Sequence, residues 1–260
     1  MKFKLLAIAA VMAVSGAANA TAINNGQAGN GGLFFSIWDD LNSYTRNLTD
    51  ATNPNMTIDG FGAVVGTGLV DLTWTADTLF TSFLSTADLA SLQWNVVATD
   101  RLGAPRVLET FTAPKPLLGK NADIIRTLAG STVTQVNSLN LSLVSANSAT
   151  FAIGDPAYAG RPGFSTTAGG GLNFSNGGTL ANSSFATGLN FMRIDAGPLG
   201  IAKSTYTTYA TAAGNDVKLY LDSANALHIA AVPEPETYAM LMAGLGLMGA
   251  IARRRNKKSA

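Results

Sequence analysis

Apolar and polar residues alternate with a period of two through much of the middle of the chain. In LVDLTWT, Val70, Leu72 and Trp74 fall on one side while Asp71, Thr73 and Thr75 fall on the other. In LQWNVVAT, Trp94, Val96 and Ala98 alternate with Gln93, Asn95 and Thr99. DVKLYLD sets Val217, Leu219 and Leu221 against Lys218 and Tyr220, and NFMRID repeats the device through Met192 and Ile194. Successive side chains of a strand point to opposite faces, so these are half-buried antiparallel strands rather than the continuous apolar runs of a parallel sheet. The run from Leu33 to Trp38 adds a first strand behind a Gly/Asn-rich lead, and the apolar phase of Trp38, Trp74 and Trp94 assigns them to the core.

Turn residues punctuate the pattern: Gly60, Gly66 and Gly68 before one strand, Gly103 and Pro105 after another, Gly214 and Asn215 before a third. Strands and punctuation together predict a mainly β ectodomain, an antiparallel β-sandwich or jelly roll with one or two short helices. STADLASLQW offers Ser85 or Thr86 as the cap of one helix, and NADIIRTLAGSTVTQV offers Asn121 as the cap of another with Ile124, Ile125 and Leu128 on one face. The following SLNLSLVSA alternates Leu139, Leu141 and Leu143 and predicts a return to strand. From Asp155 to Ser184 the chain is rich in Gly, Ser, Asn and Thr and reads as long surface loops, where a β-rich domain usually places its binding.

The two ends differ from the middle. MKFKLLAIAAVMAVSGAANA runs from Lys2 and Lys4 through an apolar stretch to Ala18-Asn19-Ala20, the order of a secretory signal peptide over residues 1–20, handled by the Sec translocon and signal peptidase. At the other end Tyr238 to Ala252 is uncharged for fifteen residues, about 22 Å as a helix. A hydrocarbon core near 30 Å makes that a marginal transmembrane helix. Arg253, Arg254 and Arg255, followed by Lys257 and Lys258, form a membrane stop that stays cytoplasmic. Between the ends, residues 21–231 form the exported domain.

Charge and composition then remove functions. Thr21 to Val232 carries ten Lys and Arg against fourteen Asp and Glu, so the exported part is net −4 although the whole chain is +1. It offers no basic field for nucleic acid. With no cysteine there is no thiolate nucleophile, no disulfide and no Cys-ligated metal. The sole histidine, His228, alternates with Leu227 and Ile229 and reads as a solvent-facing strand residue. Asp39 and Asp40 are the one adjacent pair of carboxylates that invites a glycoside-hydrolysis reading, but on a strand they point apart. Asn53, Asn55, Thr57 and Asp59 before Gly60 resemble a calcium loop faintly, with too few carboxylates and no closing Glu. No catalytic residue, metal or cofactor is therefore assigned. Tyr206 and Tyr209 in the Thr-rich KSTYTTYA are the candidate glycan contacts. Asn47-Leu48-Thr49 and Asn182-Ser183-Ser184 are glycosylation sequons.

Pro233-Glu234-Pro235, the Gly-rich apolar helix and the Arg cluster occur in that order. Together, over residues 232–258, they resemble the PEP-CTERM sorting signal of Gram-negative bacteria. The resemblance implies that Pro233, Glu234 and Pro235 are recognition elements for exosortase, a membrane protease-transpeptidase, and that the helix holds the protein in the inner membrane only until it is removed. Proline on either side of Glu234 keeps the backbone extended, as a protease requires. The resemblance also implies an exported protein made alongside exopolysaccharide, in biofilm or floc; with no catalytic residues assigned, the expectation is a non-enzymatic cell-surface or extracellular-matrix protein. A carbohydrate-binding module and a glycan hydrolase are the alternatives.

Overall fold

In the computed structural model the described residues are 22–66, 71–111, 122–143, 146–161, 164, 185, 187–197, 202–212 and 214–232. The predicted signal peptide, the apolar helix and the Arg cluster lie outside them.

The alternating stretches are strands. In chain order the elements are β1 (Phe34–Trp38), β2 (Asn42–Asn47), α1 (Phe61–Gly66), β3 (Asp71–Trp74), α2 (Thr78–Thr86), β4 (Gln93–Asp100), β5 (Arg106–Phe111), α3 (Ala122–Leu143), β6 (Ser148–Ala152), β7 (Leu189–Asp195), β8 (Thr205–Thr208), β9 (Asp216–Leu221) and β10 (Leu227–Val232). Instead of the two sheets of a sandwich, hydrogen bonds join the strands into one antiparallel sheet in the order β3-β10-β9-β7-β5-β4-β1-β2-β6, with β8 pairing β7. The expected stacking of two sheets is replaced by curling of one.

The curl is closed by a polar node. Beyond β3, the Asp77 carboxylate accepts from Tyr44 Oη of β2 at 2.8 Å and from Ser148 Oγ of β6 at 2.7 Å. It also caps α2 by accepting from the Phe80 N–H at 2.8 Å. Arg46 of β2 donates to the Thr75 carbonyl at 2.7 Å. The segment following one edge strand is thereby tied to the strands at the opposite edge. α2 occupies Thr78–Thr86 and ends where the sequence placed a helix start, because Asp77 rather than Ser85 or Thr86 supplies the cap.

Each face of the sheet has its own core. The inner face gathers Phe35, Ile37, Tyr44, Trp74, Trp94, Val96, Leu219 and Ile229 with Phe61, Phe80 and Phe83 from α1 and α2. The outer face gathers Phe34, Trp38, Val97, Val107, Phe111 and Met192 under α3. Central strands covered on both faces lose their alternation in burial: seven of the eight residues of β4 are buried.

α3 corrects a second expectation. It runs 22 residues, longer than either short helix foreseen, and includes Leu139, Leu141 and Leu143, which were assigned to a strand. Leu139 and Leu143 are four apart and fully buried, whereas Leu141 is 83% exposed. Two-residue spacing contains four-residue spacing, so the leucines fit either element. Hydroxyls of Thr127, Ser131, Thr132, Thr134 and Ser138 each donate to the carbonyl four residues back, which satisfies polar groups that would otherwise oppose the helix. Among the described residues no helix is long and apolar enough to cross a membrane.

Glu109 lies on the outer face, opposite Val97 and Met192 and in phase with Val107 and Phe111. It is fully buried, and neither carboxylate oxygen has a hydrogen-bond partner among the described residues. Burial pushes its carboxyl well above the usual range. The folded chain thus holds Glu109 neutral where the unfolded chain ionises it, at a pKa of about 4.3. Stability from this site is complete below that value and is lost as pH rises through the window above it. Glu109→Gln is expected to melt higher than the parent protein at about pH 7. The gap should close toward about pH 4, as measured by thermal denaturation across that range.

Candidate functional site

The C-terminal strand positions the tail. β10 is interior, pairing β9 from Leu227↔Leu221 to Val232↔Asp216 and β3 from Leu227↔Trp74 to Ala230↔Asp71. Leu227 and Ile229 are 3% and 0% exposed on the inner face, as the alternation predicts. In sequence Pro233 directly follows Val232, the last paired residue among those described. Lacking an N–H, it cannot extend the ladder as a donor. Pro233, Glu234, Pro235 and Arg253, Arg254 and Arg255 themselves lie outside the described residues.

His228 occupies the opposite phase of β10, half-buried. Its Nδ1 sits 3.0 Å from Asp71 Oδ1 and 3.2 Å from Thr73 Oγ1 of β3, and its Nε2 lies 3.2 Å from Asp222 Oδ2. Its ring stacks on Tyr220 of β9 with centroids 4.8 Å apart and planes 5° from parallel. The Ala226 N–H, opposed by some desolvation and helped by His228, lowers the pKa of Asp222. Both ring nitrogens face carboxylates, so the imidazole ties β3, β10 and the turn after β9 together.

The carboxylate pair separates, though in a turn rather than on a strand. Asp39 is buried and accepts from the backbone N–H groups of Leu41, Asn42 and Asp88 at 2.9, 2.6 and 3.1 Å. Asp40 is exposed and borders an open depression of about 550 Å³, where Asp155, Tyr158, Arg161 and Ile153 join it from the chain after β6. Tyr158 donates from its hydroxyl to the Asp39 carbonyl, and burial, reinforced by Asp39 and Asp40, pushes the phenol up to about 12. Arg161 is held by a 2.6 Å hydrogen bond from Nε to Gln135 Oε1 of α3, and its burial lowers the guanidinium pKa. Ile153, 61% exposed, lines the depression, and its N–H donates to the carbonyl of the exposed Leu41 at 2.7 Å. Of these side chains the sequence singles out Asp39 and Asp40 and places Asp155, Tyr158 and Arg161 only within a loop; the signal for the latter was aromatic and charged residues inside an otherwise Gly-rich stretch.

The two candidate glycan-contact tyrosines are not presented together. Tyr206 lies on β8, half-buried, and packs against the outer-face core. Tyr209 is 8% exposed in the inner core, edge-on to Phe61 at 4.8 Å. Its backbone bridges Phe191 of β7 and Val217 of β9 at 3.1 and 3.2 Å. Burial raises its phenol pKa. The Thr-rich surroundings suggested exposure, but the ring turns inward where β8 wedges between β7 and β9. Asn47 of the first sequon is likewise fully buried, and the second sequon lies outside the described residues. Asp59 of the calcium-like run pairs with Arg106 at 2.6 Å. Among the described residues no cluster of three or more His, Asp or Glu is disposed to hold a metal.

Comparison with curated proteins and with solved structures gives no match. Residues 231–256 match the PEP-CTERM protein-sorting motif, beginning inside β10 at Ala231. The chain therefore carries a PEP-CTERM protein-sorting motif that begins within β10, the last of the described strands, the mark of an exported protein processed by exosortase.

Proposed function

We propose that the domain is a non-enzymatic cell-surface or extracellular-matrix component that works alongside exopolysaccharide in biofilm or floc. The observation that carries this reading is the sorting motif at residues 231–256, joined directly to a fully built β domain. A net charge of −4 over the exported residues, and a surface rich in Ser, Thr and Asn, suit a hydrated anionic or neutral polymer matrix. The involvement of both His228 nitrogens with carboxylates supports a structural role for the one residue best suited to proton transfer at neutral pH. In a producing strain, the parent protein is expected in the medium without its apolar helix. Pro233→Ala combined with Pro235→Ala, or loss of exosortase, should leave full-length protein in the membrane fraction. Recovery of only full-length, membrane-embedded protein from the intact strain would contradict the reading.

The open depression favours a second reading, a carbohydrate-binding module. The carboxylates of Asp40 and Asp155 and the held guanidinium of Arg161 suit the hydroxyls of a sugar, and the exposed Ile153 adds an apolar surface to the lining. Binding to the producer's own polysaccharide should fall to background in Asp40→Ala combined with Arg161→Ala, without release of soluble sugar by the parent protein. No binding by the parent would retire this reading, and sugar release would favour a hydrolase built on Asp40 and Asp155.

A further inference from the structure

We propose that the open depression takes an acidic sugar, a uronic-acid unit whose carboxylate seats on Arg161 while its ring hydroxyls donate to Asp40 and Asp155. The inference rests on the carbohydrate-binding reading above and adds the chemical class of the ligand. Arg161 lines the depression, half-buried, and its Nε is engaged by Gln135 Oε1 at 2.6 Å. Its two Nη groups have no hydrogen-bond partner among the described residues, and no Asp or Glu among them comes within ion-pair range. Burial, with no carboxylate opposing it, lowers the guanidinium pKa. A cation taken partly out of water and left unpaired is costly, and an anion brought to it offsets that cost. With both Nη groups open, the fork of donors matches the two oxygens of a carboxylate.

One backbone unit holds both kinds of group. Ala157 donates its N–H to Asp155 Oδ1 at 2.7 Å, and its carbonyl accepts from Gln135 Nε2 at 2.7 Å. Gln135 is fully buried on α3, so Asp155 and Arg161 are fixed relative to each other before any ligand arrives. Asp40, exposed, borders the same opening from the turn between β1 and β2, and Ile153 adds an apolar surface for the face of a sugar ring. Carboxylates at Asp40 and Asp155 accept from hydroxyls but repel further carboxylates. The ligand that fits therefore carries one acidic group set among hydroxyls, which a uronic acid does and an acidic peptide does not. A volume of about 550 Å³ lies within the range of roughly 300–1,000 Å³ usual for small-ligand sites.

Titration calorimetry on the full-length chain in detergent micelles tests this with four probes: a uronic-acid oligosaccharide, the same oligosaccharide with its carboxyls reduced to alcohols, a glucosamine oligosaccharide and oligoglutamate. The uronic-acid probe should bind about tenfold or more tighter than its reduced form, as a hydrogen bond to a charged group implies. That preference should shrink as salt is raised. Arg161→Gln should remove it. Equal binding of the acidic and reduced probes overturns the proposal and leaves the carbohydrate reading standing. Tightest binding by glucosamine, which the carboxylates alone would select, or by oligoglutamate also overturns it, and if no sugar binds, the reading and the proposal fall together. A folded Arg161→Gln variant that keeps the preference contradicts the assignment of Arg161; where that variant does not fold, the affinities of the parent protein decide.

Discussion

Among the described residues β3 has one partner strand, and that partner is β10, the last of the described strands. Everything that closes the sheet passes through this pairing. β3 leads to Asp77, which reaches Tyr44 of β2 and Ser148 of β6 and caps α2. α2 then places Phe80 and Phe83 in the inner core. Without β10 the order of the sheet ends at β9, and the link between its two edges has no support. A chain made from its N-terminus therefore completes its fold only when Val232 is available for pairing.

Closure also explains the unusual burial. A curled sheet with α1 and α2 inside and α3 outside leaves its central strands no wet face. Ser36 and Thr45, paired across β1 and β2, meet that constraint by a mutual hydrogen bond of 3.0 Å. Asn95 and Glu109 do not meet it within the described residues, since all four of their side-chain polar atoms are buried without partners. A carboxyl held neutral is the less costly of its two states there, because an ion in that setting loses its hydration with nothing in return.

Much of the sheet was legible because its strands obey local rules. β3 and β9 alternate in burial as written, and Trp38, Trp74 and Trp94 are all core. What sequence did not show was long-range. Whether strands form one sheet or two depends on Asp77 meeting residues 33 and 71 positions away. Leu139 and Leu143 satisfy both helix and strand spacing, and only the outer-face core selects helix. Tyr209 carries a polar, Thr-rich signature, yet it fills a gap beside Phe61 that no local pattern announces. The depression at Asp40 escaped notice because Asp155 and Arg161 approach it through a loop held by Gln135 of a distant helix. The sorting motif, by contrast, is read by its partner as a linear sequence and was fully legible.

Fold and sorting thus share two residues, Ala231 and Val232, which are the end of the sheet and the start of the matched motif. On this account the domain is finished while still tethered and is released as a finished domain. Amide hydrogen exchange across residues 227–232, compared between the full-length chain in micelles and the released protein, tests the shared boundary most directly. The account predicts equal, strong protection of the ladder amides in both forms. Exchange at the rate of an unstructured peptide in the full-length chain would contradict it.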